Sequence, residues 1–423
     1  MLHDELLGAL AEIPLIDIHS HLPRDDMVAT DASKLLFYHM LQYPLRAAGA
    51  DEAALWPGSA WHSRACPYEV WDRCGPAMMR TGFGWILQSI LRDLYEFDEP
   101  PTREAIPRLE SAIARQASEG DWGMEVLRRA RVEAVLSSAQ RPQAPGATEA
   151  LPIHDTVEVA ASSGTREFDG WPQRLAQIAQ STGHEIANRA QFREAVRLFF
   201  DAVDWTGKTI LVQWISSLAD FRPADHADIN RILAACCRGE APAPEAAAWL
   251  EAELIRATLE SVRDRIRVYQ FCYGTQFVTP GPGRGMQRAA PQFASGMAHL
   301  IAQFPEIHFN VLNGFEADEP IWCSLPLAYD NVSLGGYWWQ TFYPWTMQAA
   351  WQRRLDMVPT TRLMGFFSDG YCVEWIYGRA TMTRRVLANV LAERIERGFC
   401  TRDQALSAAR DVLYETPKRI CFA

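Results

Sequence analysis

Apolar and polar positions alternate along this chain in two patterns, short runs of strand length and longer stretches with helical spacing. The apolar runs predict strands at 16–22, 132–136, 156–160, 209–214, 267–272, 308–312, 331–334 and 362–367. Segments with helical spacing, such as 191–203 and 245–263, separate them. Strands that alternate with helices in this way form parallel sheets with right-handed crossovers. Eight such units predict a (β/α)8 barrel, the TIM-barrel architecture.

Two parts of the chain depart from this simple alternation. Residues 25–125 contain helical segments, among them 32–41 and 82–95, but no strong strand, so they predict a helical insertion after strand one that caps the barrel mouth. Residues 386–423 predict C-terminal helices. A bare barrel needs about 250 residues. The 423 residues of this chain therefore fit a single barrel domain with these additions.

Composition and charge narrow the class of protein. The hydrophobic content of 48% supports one large core, and a net charge of −11 with a pI near 5.5 argues against nucleic acid as a partner. The sequence has no apolar stretch of membrane-spanning length and no secretory signal pattern at its N-terminus, so we expect a cytoplasmic protein without a membrane partner. The nine cysteines form no C-x-x-C pair, which predicts neither a disulfide framework nor a zinc ribbon.

The first and last predicted strands both end in candidate metal ligands. His19 and His21 lie two positions apart at the end of the first run, so both imidazoles point to one face. Asp369 follows the last run. In a closed barrel the first and last strands are neighbours, and functional residues lie at the carboxyl ends of the strands. These residues therefore predict a divalent metal site, although an isolated His-x-His pair is more often structural.

Motifs that occur in a fixed order along the chain resemble those of the uronate isomerases, a branch of the amidohydrolase superfamily. The matching residues are Asp17 to Leu22, Tyr43 to Arg46, Val311 to Gly314, Gly335 to Trp339, Gly365 to Asp369, and Arg379 with Arg384 and Arg385. The resemblance implies a TIM barrel of the amidohydrolase type and a metal-dependent isomerase. Such an enzyme interconverts the aldose and ketose forms of a small sugar acid or related carboxylated polyol. A small-molecule substrate and a homo-oligomer are expected.

The resemblance also implies roles for individual residues. Asp369 is expected to act as the catalytic base or as a metal ligand, with His19 and His21 holding zinc or, as the alternative, manganese. Tyr43 is expected to donate to the developing oxyanion. Arg379 is a further catalytic candidate, as a partner of the substrate carboxylate. The remaining candidates for substrate binding are Arg46, Cys272, Asn313, Trp338 and Trp339, each with a packing or turn role as its alternative.

Several positions expected to face the substrate differ from the family pattern. Cys272 stands where the fifth strand of the family carries a histidine, and it predicts a buried small hydrophobe, a metal ligand or a reactive thiol. Gly370 and Tyr371 follow Asp369 in place of Ser-Arg. A less polar substrate, handled by a metal-dependent hydrolase or decarboxylase of the same superfamily, is therefore one alternative function. A barrel that binds a ligand without catalysis is the other.

Overall fold

The computed structural model of the chain describes residues 2–51, 55, 68–139, 152–158, 170–216, 218–222, 226–277, 284–286, 292–336 and 343–422. The strands are β1 (Leu15–Ser20), β2 (Val132–Ser137), β3 (Ile153–Asp155), β4 (Val157–Glu158), β5 (Ile210–Trp214), β6 (Val268–Tyr273), β7 (Thr275–Phe277), β8 (Arg284–Met286), β9 (His308–Asn313) and β10 (Val332–Leu334). Seven of the eight predicted strand regions therefore contain a strand.

Helices alternate with these strands along the chain. They are α1 (Leu2–Ala11), α2 (Ser33–Leu36), α3 (Gln42–Ala47), α4 (Tyr68–Met78), α5 (Gly82–Tyr95), α6 (Ile106–Ala117), α7 (Trp122–Arg129), α8 (Trp171–Thr182), α9 (Arg189–Asp201), α10 (His226–Cys237), α11 (Pro244–Val262), α12 (Phe293–Gln303), α13 (Glu319–Ala328), α14 (Pro344–Met357), α15 (Val373–Glu396), α16 (Arg402–Arg410) and α17 (Thr416–Phe422). Shorter turns of helix occupy His39–Leu41, Glu316–Asp318, Thr360–Arg362 and Asp411–Glu415. No helix among the described residues is both long and apolar enough to cross a membrane.

The principal strand pairings are parallel, as the alternation of strands and helices predicts. β1 pairs with β2. A five-stranded sheet has the order β10-β9-β6-β5-β4, and its four strand pairings are all parallel. The short strands β7 and β8 form a separate antiparallel hairpin.

The described chain forms two compact units, and the pair β1–β2 belongs to the first. All six residues of β1 are buried. Helix α15 packs against α1, α5 and α7 in this unit. The second unit contains β5, β6, β9 and β10, which carry a mostly buried set of residues.

The eighth predicted strand, 362–367, differs from a regular strand. Its start is a helical turn at Thr360–Arg362, and Leu363 forms a single parallel bridge with Leu334. Further along, the segment runs beside β1: the carbonyl of Phe366 accepts from the amide of Ile18 at 3.3 Å. This segment is thus hydrogen-bonded to neighbouring strands at single points and does not form a continuous β-ladder.

The predicted helical region after β1 consists of short and long helices in its described part. A single helix over 32–41, which the pattern favours, is wrong: α2 ends at Leu36 and a separate helical turn follows at His39–Leu41. Helix α5, by contrast, has the bounds that the sequence predicts. The role of residues 25–125 as a cap stays a prediction. The C-terminal helices begin earlier than residue 386, because α15 starts at Val373.

The buried Arg384 on α15 donates hydrogen bonds to the C-terminal ends of two helices, each of which precedes a strand. Arg384 is 6% exposed, and its guanidinium donates to the carbonyls of Leu10 at 3.0 Å, Ala130 at 2.9 Å and Ile13 at 2.9 Å. Leu10 lies in the last turn of α1, and Ala130 follows α7 directly. Helix C-termini carry carbonyls without helical partners and a partial negative charge, which a cation satisfies. Arg384 therefore fixes the points at which the chain enters β1 and β2.

Candidate metal centre

Two imidazoles and one carboxylate meet at the carboxyl end of β1. Nε2 of His21 lies 3.2 Å from Oδ1 of Asp369, and Nε2 of His19 lies 3.8 Å from the same oxygen. One ligand atom from each of the three residues can be chosen so that all lie within 4.8 Å of one another. The side chains of His19, His21 and Asp369 are 1%, 10% and 7% exposed. The predicted convergence of these residues on one metal-sized point is confirmed.

Main-chain hydrogen bonds bring Asp369 to the level of the two histidines. The amide of Asp369 donates to the carbonyl of His19 at 3.0 Å, and the amide of His21 donates to the carbonyl of Gly370 at 2.9 Å. Asp369 has a φ of 53°, in the left-handed region that a non-glycine residue seldom occupies. The hydroxyl of Tyr38 donates to the Asp369 carbonyl at 2.7 Å, which supports this strained conformation.

Asp17, two positions before His19, ties β1 to the segment that carries Asp369. Its carboxylate accepts from the amide of Ser368 at 2.9 Å and from the amide of His19 at 3.4 Å, and it also accepts from the Ser368 hydroxyl. Burial raises the pKa of Asp17 to about 7, although these donors favour the ionised form. Because Ser368 precedes Asp369, this contact helps to hold the third candidate ligand in place.

The charge on Asp369 is set by opposing effects. Burial by itself raises the pKa of Asp369, but the hydrogen bond and charge of His21, with the charges of Arg379 and His39, hold the pKa below its usual range. Arg379 is 1% exposed, and burial lowers the pKa of its guanidinium, which the negative charge of Asp369 opposes. The centre therefore contains an ionised carboxylate beside a buried guanidinium. The predicted role of Arg379 in binding a substrate carboxylate stays a prediction.

Side chains from several elements fix the orientation of the His21 imidazole. Nδ1 of His21 lies 3.1 Å from Oγ of Ser138, which directly follows β2. The ring of Tyr371 stacks on the imidazole, with centroids 4.7 Å apart and planes 16° from parallel. The ring of His39 makes an edge contact with Tyr371 at 4.4 Å. One side of the centre is therefore aromatic, where the resemblance leads one to expect an arginine at position 371.

The chemistry of this donor set fits a divalent metal ion. Two imidazole nitrogens with one carboxylate oxygen are common ligands of zinc, and three protein ligands leave a position for water or substrate. The three groups are close together and nearly buried, and the carboxylate is ionised. His19, His21 and Asp369 can thus hold a metal ion, and the same donors also suit metals other than zinc.

Four further residues predicted from the sequence lie on α3 or outside the described residues. Tyr43 and Arg46 are half-buried on α3, shortly after the turn that carries His39. Trp338 and Trp339 lie outside the described residues. The roles proposed for these four side chains stay predictions.

Asn313 and Cys272 belong to strands of the second unit. The side-chain oxygen of Asn313 accepts from the amide of Phe315 at 2.9 Å. Its side-chain nitrogen donates to the carbonyl of Phe315 at 2.9 Å and to the carboxylate of Glu319 at 3.3 Å. These bonds are those of a turn-forming residue, and the expected contact of Asn313 with the substrate stays a prediction. Cys272 is 1% exposed and in register with Trp214 and Leu312 on the neighbouring strands. It is buried, as a small hydrophobe would be, and a role as ligand or thiol stays a prediction.

Sequence reasoning missed several residues of the centre, namely Tyr38, His39, Ser138, Ser368 and the stacking role of Tyr371. One signal was available for Ser138. It comes two positions after the second predicted strand, 132–136, and the carboxyl ends of parallel neighbours meet at one edge of a sheet. The contacts of Tyr38 and His39 have no such signal, because irregular backbone after β1 brings them to the centre.

Comparison with known proteins gives related sequences and a shared fold. No protein-family model matches the sequence. A uronate isomerase from Rhizorhabdus wittichii is 23% identical over 98% of this chain and 93% of its own length. A uronate isomerase from Thermotoga maritima is 26% identical over 151 residues, which are 34% of this chain and only 33% of that protein.

Solved structures extend the likeness over the whole described fold. The crystal structure of the Thermotoga maritima uronate isomerase has a TM-score of 0.80 at 17% identity and covers 100% of this chain and 97% of that one. That of the glucuronate isomerase from Caulobacter crescentus has a TM-score of 0.79 at 17% identity and covers 99% and 93%. These matches show an α/β fold of the TIM-barrel type. The chain is thus similar over its full length to uronate isomerases, in sequence at 23% identity and in fold.

Proposed function

We propose that this protein is a metal-dependent isomerase that interconverts the aldose and ketose forms of a small sugar acid or related carboxylated polyol. The observation that carries the proposal is the convergence of His19, His21 and Asp369 at one buried point. Relatives along the whole chain are named uronate isomerases, which supports the reaction type. A metal site without these relatives would support hydrolysis equally well.

The isomerisation moves a proton between adjacent carbons through an enediol, so it needs a base, a proton shuttle and a group that stabilises the developing oxyanion. His19, His21 and Asp369 would hold the metal, which supplies Lewis-acid polarisation of the carbonyl and hydroxyl when bound. Asp369 would be the base, because its carboxylate is ionised and Oδ1 lies 3.2 Å from Nε2 of His21, although its low pKa makes it a weak one. Proton transfer of this kind contributes a rate factor of about 10²–10⁴.

The other side chains would orient the substrate. Tyr43 would donate to the oxyanion, and Arg46 or Arg379 would pair with the carboxylate. We favour Arg46 over Arg379 for this pairing, because Arg379 is fully buried beside the chain's own carboxylates. Helices within 25–125 would cover the centre as a cap. Zinc is our first choice of metal, with manganese as the alternative, and we expect a homo-oligomer.

The test combines metal analysis with a substrate panel. We expect stoichiometric divalent metal in the purified protein and interconversion of at least one uronate, such as glucuronate or galacturonate, with solvent deuterium entering the product. Asp369→Asn should lower turnover by about 10²–10⁴-fold. Asp220→Asn is the matched control, because Asp220 is also a buried aspartate, 4% exposed, but is paired with Arg222. Its turnover should equal that of the wild type.

Two results would contradict the proposal in different ways. Metal binding with hydrolysis of a lactone or amide, and no isomerisation of any sugar acid, would favour the hydrolase. A protein that binds sugar acids but holds no metal and turns nothing over would favour the non-catalytic ligand-binding barrel.

A further inference from the structure

The side chain of Ser138 contacts both the main chain and one of the candidate metal ligands. It is 3% exposed, and its Oγ lies 3.2 Å from the carbonyl of Ser20 and 3.1 Å from Nδ1 of His21. The amide of Ser138 also donates to the Ser20 carbonyl at 2.9 Å. A carbonyl oxygen has two lone pairs and can accept both bonds. The Ser138 side chain is therefore held between a main-chain acceptor and a candidate metal ligand.

These two contacts determine where the protons lie. The Ser20 carbonyl can only accept, so its hydrogen bond with the Ser138 side chain uses the hydroxyl proton. With that proton committed, Oγ can interact with His21 only as an acceptor, and Nδ1 of His21 must then carry a hydrogen. In a neutral imidazole this leaves the lone pair on Nε2. Nε2 faces Oδ1 of Asp369 at 3.2 Å, so a proton must lie between these two atoms in the metal-free protein, and a bound metal ion would take its place.

We propose that Ser138 is a positioning residue of the metal centre: its hydroxyl selects the His21 tautomer that is protonated at Nδ1 and so presents Nε2 as the metal-binding atom. This rests on the proposed function only in so far as the centre holds a metal. Histidine ligands of metals usually donate their second ring N–H to an oxygen, which fixes the ring and its tautomer. The Tyr371 ring, stacked on the same imidazole, restricts its rotation.

The local sequence explains why a serine reaches this point. Ser137 is in register with Ser20 at the ends of β2 and β1, so the next residue lies beside His21. Ser137 and Ser138 are both buried, but their hydroxyls have different partners. The Ser137 hydroxyl donates to the carbonyl of Leu22 at 2.8 Å and accepts from the amide of Ala139 at 3.2 Å. Ser137 is thus a matched control, because it is a neighbouring buried serine whose hydroxyl bonds to the main chain at Leu22 and Ala139.

The experiment measures the affinity of the metal-free full-length protein for Zn²⁺ by competition with a chromogenic chelator. Ser138→Ala should bind Zn²⁺ about 10–100-fold more weakly than the wild type. Ser138→Thr, which keeps the hydroxyl, should restore most of the affinity. Ser137→Ala should bind as the wild type does. In the Zn²⁺-loaded wild type, ring-nitrogen NMR of labelled histidine should show His21 protonated at Nδ1, with His21→Gln used to assign the signal.

Each contrary result has a distinct meaning. Equal Zn²⁺ affinity for Ser138→Ala and the wild type would overturn the role of Ser138 and leave the proposed metal centre standing. Equal weakening by Ser137→Ala and Ser138→Ala would also overturn it, because loosening of the strand end would then explain both. A wild-type protein that binds no Zn²⁺ would overturn this inference together with the metal part of the proposed function. Zn²⁺ binding without uronate turnover would count against the isomerase alone.

Discussion

Replacement of Arg384 by leucine removes three buried hydrogen bonds from the first unit. The guanidinium donates to the carbonyls of Leu10, Ile13 and Ala130, at the points where the chain leaves α1 and α7. Leucine keeps the apolar part of the contact but offers no donor. The three carbonyls would remain in a buried region, and the two helix ends would lose their cation.

The expected cost follows from this geometry. Each buried carbonyl left without a partner costs about 1–3 kcal/mol. The Leu10 carbonyl still accepts from the amide of Ile13 at 3.2 Å, so the carbonyls of Ile13 and Ala130 together account for about 2–6 kcal/mol. Part of this is offset, because burial of the guanidinium is itself unfavourable and lowers the pKa of Arg384 to about 10. Loss of the cation at the two helix ends adds about 0.3–1 kcal/mol for each helix. We therefore expect Arg384→Leu to destabilise the protein by about 3–5 kcal/mol.

The assay is urea unfolding followed by tryptophan fluorescence, with the midpoint concentration as the readout. Arg385→Leu is the matched control, since Arg385 is the exposed neighbour whose contact is the ring of Trp85 at 5.5 Å. Such an exposed contact is worth about 0.5–1 kcal/mol. Arg384→Lys should fall between Arg384→Leu and the wild type, because one ammonium lacks the planar fork that reaches three acceptors. Equal midpoints for Arg384→Leu and Arg385→Leu would refute the reasoning.

Three further perturbations test other parts of the structure. Burial, with the charges of Arg362 and Arg419, lowers the pKa of His308 from 6.5 to about 4. The unfolded chain therefore takes up a proton at acid pH that the folded protein does not, so stability is lost as the pH falls. Between pH 7 and pH 5 the wild type should lose about 2 kcal/mol more stability than His308→Gln, and parallel unfolding curves at both pH values would contradict this. Tyr38→Phe removes the 2.7 Å hydrogen bond to the carbonyl of Asp369, the residue in the left-handed conformation. We expect the free energy of unfolding to fall by about 1 kcal/mol and Zn²⁺ binding to weaken in the chelator assay. Unchanged values of both would show that this hydrogen bond does not support the conformation of Asp369. Cys272→Ser should weaken metal binding or turnover while circular dichroism stays that of the wild type, and full retention of both would assign Cys272 to packing.

The sequence predicts the strands of this fold well because buried parallel strands have a simple signature. The runs that became β2, β5, β6, β9 and β10 are short, apolar and bounded by helical spacing. The eighth run has the same composition but does not form a continuous ladder. Hydrophobicity indicates that a segment is buried and extended, whereas its pairing depends on neighbours that no local pattern specifies.

The metal group could be predicted because its members mark strand ends. His19 and His21 share one face of a short strand, and Asp369 follows the run that a barrel places next to it. The residues that shape the group are different, because Tyr38, His39 and Tyr371 reach it from irregular backbone. Their positions depend on the left-handed turn at Asp369 and on the path after β1, neither of which has a periodic signal.

The Asp17–Ser368 contact also has a consequence for the biosynthesis of the protein. It joins residues 351 positions apart, within the same unit that contains the metal centre. Closing a flexible loop of that length costs about 5 kcal/mol in chain entropy, so the intervening elements must be largely ordered before the contact is favourable. A nascent chain on the ribosome can present the two histidines early, but it lacks the carboxylate until translation has passed residue 369. The complete group of three candidate ligands can therefore form only after that point.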